Sequence, residues 1–366
     1  MRDWRRETML ARKYFMGGTT AKGYVNFYEN LIEQLDGVLF IEGGHTSIIS
    51  NQLKEVANQF KDHYTIDFIY NHIQKSELEG IVLIEKGIGI FDRTKMNYKR
   101  MKLPVLKENL LNFSEGYNKR GLQNEREQLM MLHKQMEQLH TRSIEQFQRA
   151  LAIHNEIEQI YYDYMDFEKA DIETERLIHD IFRMNHLNKP SQVSHRYLGA
   201  ATPEGPVDFI PLITDEMTKR IFLKGNSGSG KSTMLKEIAR AAQDFGFDIE
   251  IYHCGFDPTS LDMVLLPELE IALFDATAPH AHDPNRFGDE ELNLSEKCMK
   301  QPLSKPDSEK IDRLKFDYRG NVKTATAHLK ALKKLQGDFE EIYQENVVPE
   351  FLDVMKEEMI QWIEEK

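Results

Sequence analysis

Residues 220–242 read RIFLKGNSGSGKSTMLKEIARAA, and the run GNSGSGKST from Gly225 to Thr233 decides how the chain is expected to fold. It satisfies G-x-x-x-x-G-K-[ST] between a strand former, RIFLK, and a helix former, MLKEIARAAQ. Strand, loop and helix in that order make the setting of a phosphate-binding P-loop. Gly225, Gly228 and Gly230 are expected to take positive φ and so curl the backbone N–H groups inward. The start of the following helix adds partial positive charge where an anion would sit. Gly225, Asn226, Ser227, Gly228, Ser229, Gly230, Lys231, Ser232 and Thr233 are therefore the expected nucleoside-triphosphate site. Lys231 would reach the β- and γ-phosphates, and the Ser232 hydroxyl would ligate Mg²⁺. ATP is the expected nucleotide, since no guanine-reading N-K-x-D run is present.

Asp275 closes the apolar run IALF, the usual place for the carboxylate that holds Mg²⁺. Lys231 and Asp275 are thus the expected catalytic pair, with Ser232 and Asp275 on the metal. Ala276 follows where many P-loop ATPases carry a water-activating Glu, so either a base comes from elsewhere or hydrolysis is slow. Asp257, Glu268 and Glu270 are candidates that spacing does not separate. In TAPHAHDP, Thr277 to Pro284, residues His280, His282 and Asp283 look like a metal set but lack a distant partner. That loop is expected at the C-terminal edge of the sheet, where open α/β folds bind ligands.

The chain is one unit written twice. Gly17 and Gly199, Phe40 and Phe222, Tyr70 and Tyr252, and Tyr161 and Tyr343 are each 182 positions apart within similar stretches. Asp92 and Asp275, in GIGIFDRT and EIALFDAT, match with one residue of slip. The expected division is 1–190 and 191–366, with HLNKPSQVSH as a linker. Strands alternating with helices predict tandem α/β P-loop NTPase domains with parallel sheets. Each is expected to carry a helical hairpin region, at about 105–187 and 308–366. These long amphipathic helices are a possible partner surface, though internal packing is the commoner use of such helices.

The first repeat has lost the loop. In GGHTSIISN, Ile48 and Ile49 stand at the places of Gly230 and Lys231, and Glu42 at that of Lys224. A β-branched residue where positive φ is needed would be strained. This half is expected to be a pseudo-domain that scaffolds the second, or that supplies Arg93 or His45 to its nucleotide.

Bulk properties agree with a soluble, cytoplasmic protein: 40% hydrophobic, 29% charged, and two cysteines that do not suggest a disulfide framework. A net charge of −13 argues against nucleic acid as a partner. No apolar run approaches the roughly 20 residues of a membrane span. The basic start, MRDWRRETMLARKYFM, is expected to be a short surface helix.

The segments GAATPEG (199–205), FLKGNSGSGKST (222–233), YHCGFDPTSLD (252–262) and DATAPHAHDP (275–284) resemble a family of bacterial two-repeat P-loop proteins described as ATPases or nucleotide-kinase-like proteins. The resemblance covers nearly the whole chain and implies an ATP- or GTP-binding cytoplasmic protein. It leaves three expected activities: slow Mg²⁺-dependent ATP hydrolysis, phosphoryl transfer to a small acceptor, or nucleotide-gated binding of a partner.

Overall fold

A computed structural model describes residues 12–96, 108–183 and 185–366 of the chain. The first half runs β1 (Lys13–Tyr14), β2 (Gly17–Thr20), β3 (Gly23–Asn26), α1 (Tyr28–Glu33), β4 (Gly37–Glu42) and α2 (Thr46–Phe60). It continues with β5 (Ile66–Tyr70), β6 (Leu78–Leu83), β7 (Ile88–Asp92), β8 (Glu108–Asn112), α3 (Lys119–Asn124), α4 (Arg126–Tyr164) and α5 (Phe167–Phe182). The second half repeats this as β9 (Val193–Tyr197), β10 (Gly199–Thr202), β11 (Gly205–Asp208), α6 (Ile210–Ile213), β12 (Lys219–Lys224) and α7 (Lys231–Asp244). It ends with β13 (Ile249–His253), β14 (Leu261–Leu266), β15 (Ile271–Asp275), β16 (Asp289–Asn293), α8 (Leu294–Cys298), α9 (Lys305–Glu345) and α10 (Pro349–Glu365).

Two six-stranded sheets result, ordered β1-β5-β6-β7-β4-β8 and β9-β13-β14-β15-β12-β16. They are mixed, not parallel as expected: β6 and β14 run antiparallel to both neighbours, and the other pairings are parallel. The reason is loop length. Seven residues join β5 to β6 and β13 to β14, and a parallel return needs a dozen or more. Strands β6 and β14 were not foreseen, nor were β8 and β16. The slip between the repeats also falls earlier than Asp92. Matching bulges lie between Ile69 and Tyr70 and between Tyr252 and His253, so Tyr70 corresponds to His253 and not to Tyr252.

Alternation along the central strands sets the layers. Leu39 and Ile41 face α2, whereas Val38 and Phe40 face α1. In the second half, Ile221 and Leu223 face α7 and Phe222 faces α6. The outer cover on the α2 and α7 sides is exchanged between halves. Met359, Trp362 and Ile363 of α10 complete the core of the first sheet. Leu177, Ile181 and Phe182 of α5 complete that of the second.

The expected hairpins within each half do not form alone. Helix α4 has 39 residues, about 58 Å, and its apolar stripe far outruns the 16-residue α5. Its match is the 41-residue α9, lying antiparallel to it. Tyr164 donates to Asp307 at 2.5 Å, Ser143 to the Ala325 carbonyl at 3.2 Å, and the Asn118 N–H to the Asn346 carbonyl at 2.7 Å. Ser143 meets its own counterpart, Ala325, and Phe15 bridges its own counterpart, Tyr197. A pseudo-two-fold axis therefore passes through both contacts. Beside it, Arg12 and Arg196 flank buried Glu250. Burial pushes that carboxyl up, but the two guanidiniums outweigh it and hold it at about 2.

Residues 1–11 of the basic start lie outside the described residues. Its remainder is not a surface helix: Arg12 is buried and Lys13–Tyr14 pairs with β5. The expected linker is tied down as well, since Ser191 donates to the Phe247 carbonyl at 2.5 Å and β9 begins at Val193. Among the described residues, no helix is long and apolar enough to cross a membrane.

Trp362→Ala should cost about 3–5 kcal/mol, although the residue is in the chain's last helix. Hydrogen exchange is expected to show the loss first in residues 37–60 of the first half; loss confined to β12–β15 would contradict the exchanged packing.

Candidate functional site

The run Gly225–Gly230 bridges the end of β12 and the first turn of α7, as its pattern requires. Gly225, Gly228 and Gly230 have φ of 141°, 75° and 94°, all in the region L side chains avoid. A Cβ on Gly230 would meet nothing within 4 Å, so the loop leaves open space there. Ser229 is 1% exposed and its hydroxyl has no hydrogen-bond partner. Asn226 donates through its N–H (2.9 Å) and its Nδ2 (3.2 Å) to Ser295 of α8, which braces the loop from outside. Ser227 is half-buried and Thr233 is exposed.

Lys231 is buried and turned into the loop. Its Nζ donates to the Gly225 carbonyl at 2.7 Å and the Asn226 carbonyl at 3.0 Å, and lies 3.7 Å from Asp275 Oδ2. Asp275 Oδ1 accepts from the Thr277 N–H (2.9 Å) and hydroxyl (2.5 Å). Burial pushes the Asp275 carboxyl up, against the pull of Lys231. Ser232 Oγ accepts from the Leu261 N–H at 2.9 Å. Lys231, Ser232 and Asp275 therefore converge at one end of the sheet.

The first half is an internal control. Ser50 accepts from the Leu78 N–H at 2.8 Å, and Asp92 Oδ1 from the Thr94 N–H and hydroxyl at 2.9 and 2.7 Å. Those bonds are common to both halves and belong to the fold. The loop itself differs. Only Gly43, Gly44 and His45 separate β4 from α2, so the helix begins one turn earlier than α7. The expected strain at Ile48 is thereby avoided: Ile48 and Ile49 are helical, and both are buried. With no lysine opposite, Asp92 Oδ2 is buried without a hydrogen-bond partner. Arg93 pairs with Glu42 at 3.1 Å, and the His45 ring packs against Phe339 and Tyr343 of α9.

What crosses to the second half's loop is an anion. A Cβ on Gly228 would stand 2.7 Å from the backbone oxygen of Glu158 in α4. The Glu158 carboxylate meets the ring of His154, one turn earlier, at 3.4 Å, with the Gly228 amide and Lys231 nearby. Together these hold it below the usual carboxylate range.

The remaining candidates are dispersed. Asp257 accepts from Thr259 within its own turn (2.8 Å), Glu268 pairs with Lys189 (3.0 Å), and Glu270 precedes β15 at the end away from Asp275. The acid near Asp275 is Asp262, one residue past the Met263–Phe274 pair, and its charge adds to the upward push on the Asp275 carboxyl. His280, His282 and Asp283 do not form a ligand set. The first two meet Asp208 of β11, each at 3.0 Å, while Asp283 pairs with Lys224 at 2.8 Å. Among the described residues, no group of three or more His, Cys, Asp or Glu is placed to hold a metal ion. Burial would pull the His280 imidazolium down, but its contacts with Asp208 and Asp262 outweigh it and hold it up at about 10. Burial, with Asp262 nearby, pushes the Cys254 thiol up. Sequence reasoning passed over Asp208, Asp262, Glu158 and Ser295. For Asp208 the signal was available, because the first half has Asn26 there.

A free imidazole loses its proton near pH 6.5, whereas the folded His280 keeps its own to about 10. The clamp's stabilisation is therefore complete below pH 6.5 and is lost between there and about 10. The stability difference between wild type and His280→Asn in denaturant should shrink over that range; a difference independent of pH would exclude a charged clamp. Gly228→Ala meets both a positive φ and the Glu158 backbone. It should cost more than the roughly 1 kcal/mol of an ordinary glycine substitution, measured by urea unfolding.

Compared with protein-family models, curated proteins and solved structures, the chain matches none of them.

Proposed function

We propose that the second half binds a nucleoside triphosphate, with ATP the first choice, in the Gly225–Gly230 loop, and that it transfers the γ-phosphoryl group, to water in the simplest case. One observation carries this reading: the glycine loop and Lys231 stand together at Asp275 in one half, whereas the other half keeps the fold and the equivalent Asp92 but has isoleucines in place of Gly230 and Lys231. The unpartnered Ser229 hydroxyl and the open space over Gly230 fit a phosphate cradle. On binding, Lys231 Nζ would exchange the Gly225 and Asn226 carbonyls for phosphate oxygens. Ser232 Oγ, which accepts one hydrogen bond, keeps a lone pair for Mg²⁺, and Asp275 would hold the ion's water. Bound Mg²⁺ would supply charge neutralisation at the β- and γ-phosphates.

In this reading the chain is a tandem P-loop NTPase, as the family resemblance implies, and its first half departs from that pattern as a pseudo-domain. Its two free cysteines suit a reducing cytoplasm. The α4–α9 pair is the natural surface for a protein partner, since α4 touches the loop directly through Glu158. A second reading, phosphoryl transfer to a small acceptor, draws on Asp208, which secures the His280–His282 loop beside Asp275.

MgATP should raise the melting temperature of the wild type, and Lys231→Ala should lose that shift and weaken binding at least tenfold by calorimetry. Unchanged affinity in the variant would refute the proposal. Phosphate release without additives supports hydrolysis, whereas nucleotide consumption that needs a pool of small metabolites supports the second reading.

A further inference from the structure

Both halves place an acidic residue at the same β-bulge. On β6 and β14 the residue skipped by the register is Glu79 in the first half and Asp262 in the second. Each lies one residue past the last pair with the next strand, Gly80–Phe91 or Met263–Phe274, towards the end where that strand finishes in Asp92 or Asp275. A bulge commonly re-aims a side chain beside a functional site.

Their surroundings diverge. Glu79 is fully buried and accepts from Tyr28 Oη at 2.7 Å and Asn71 Nδ2 at 3.0 Å. At those two positions the second half has Ile210 and Cys254. Asp262 is 7% exposed, its Oδ2 accepts no hydrogen bond, and its nearest cation is His280 Nε2 at 3.5 Å. The Cys254 thiol is its other neighbour. So the acid is hydrogen-bonded where the phosphate loop is missing, and where the loop is present it faces the His280 ring at 3.5 Å with that oxygen outside hydrogen-bond geometry. A buried carboxylate oxygen without a donor costs stability, and such costs gather at functional sites.

We infer that Asp262 is the general base of the second half, acting on the nucleophile that attacks the γ-phosphate held at Lys231 and Asp275. The assignment rests on the proposed nucleotide site. As the oxygen of water, or of an acceptor hydroxyl, bonds to the γ-phosphorus, Asp262 takes its proton. The bond from the γ-phosphorus to the β,γ-bridging oxygen breaks, and its electron pair leaves with the nucleoside diphosphate. The proton then passes to the phosphate product or to solvent. Asp262 supplies what Ala276 lacks.

The test pairs Asp262→Asn with Glu79→Gln, measuring MgATP affinity, turnover (with and without a small-acceptor pool) and melting temperature without nucleotide. Asp262→Asn should bind MgATP within a few-fold of wild type, melt within a few degrees of it, and lose about 100-fold or more in turnover. Glu79→Gln should melt lower and turn over normally. If Asp262→Asn keeps turnover, or loses it only because the melting temperature collapses, the inference falls while the nucleotide site stands. Wild type that binds MgATP yet turns it over in neither arm also overturns it. Failure of wild type to bind MgATP sinks the underlying function instead.

Discussion

Each sheet in this protein has one face that its own half leaves incompletely covered. An uncovered β-sheet face leaves apolar side chains in water, at about 25 cal/mol for every Å² exposed. Here the missing layer comes from the other half, α10 for the first sheet and α5 for the second. The long helices follow from that exchange. To deliver α5 and α10 to opposite sheets, α4 and α9 must pass each other, and they do so along matched apolar stripes about the pseudo-two-fold axis. The arginine–glutamate cluster at Arg12, Arg196 and Glu250 sits where the two sheets meet.

The same exchange brings α4 to the glycine loop. The first half lacks Lys231's counterpart, yet it forms part of the wall around Lys231, because Glu158 lies against Gly228. The helix start at Thr46 explains why the first half tolerates isoleucine in place of glycine and lysine. Moving the helix boundary by one turn makes the positions equivalent to Gly228 and Gly230 helical, and leaves only Gly43, the counterpart of Gly225, at positive φ in that loop.

The loop was legible in the sequence because its chemistry is local. Glycine at three positions and lysine at one report directly on φ and charge, and the structure places them as read. Duplication was legible too, through constant spacing. The mixed sheet was hidden by attention to strand-and-helix alternation; the seven-residue connections before β6 and β14 contained the answer. The helix exchange was not legible, since amphipathic spacing says that α4, α5, α9 and α10 bury a face and nothing about which surface covers it. Glu158 illustrates the limit: it lies inside EIEQIY, a stretch that reads only as helix. Asp262 was hidden for a different reason, because a bulge is a property of pairing between strands.

Covering the first sheet with the chain's last helix also has a consequence for the order of synthesis. The second sheet's cover, α5, leaves the ribosome before the strands it protects. The first sheet must wait for residues 349–365, and its Glu55 meets Lys356 across 301 positions of chain. Such separations slow the closing step and leave apolar surface open until those residues are made. A nascent first half is therefore the stage at which this protein most needs protection from aggregation, and loss of residues 349–365 harms the half made first.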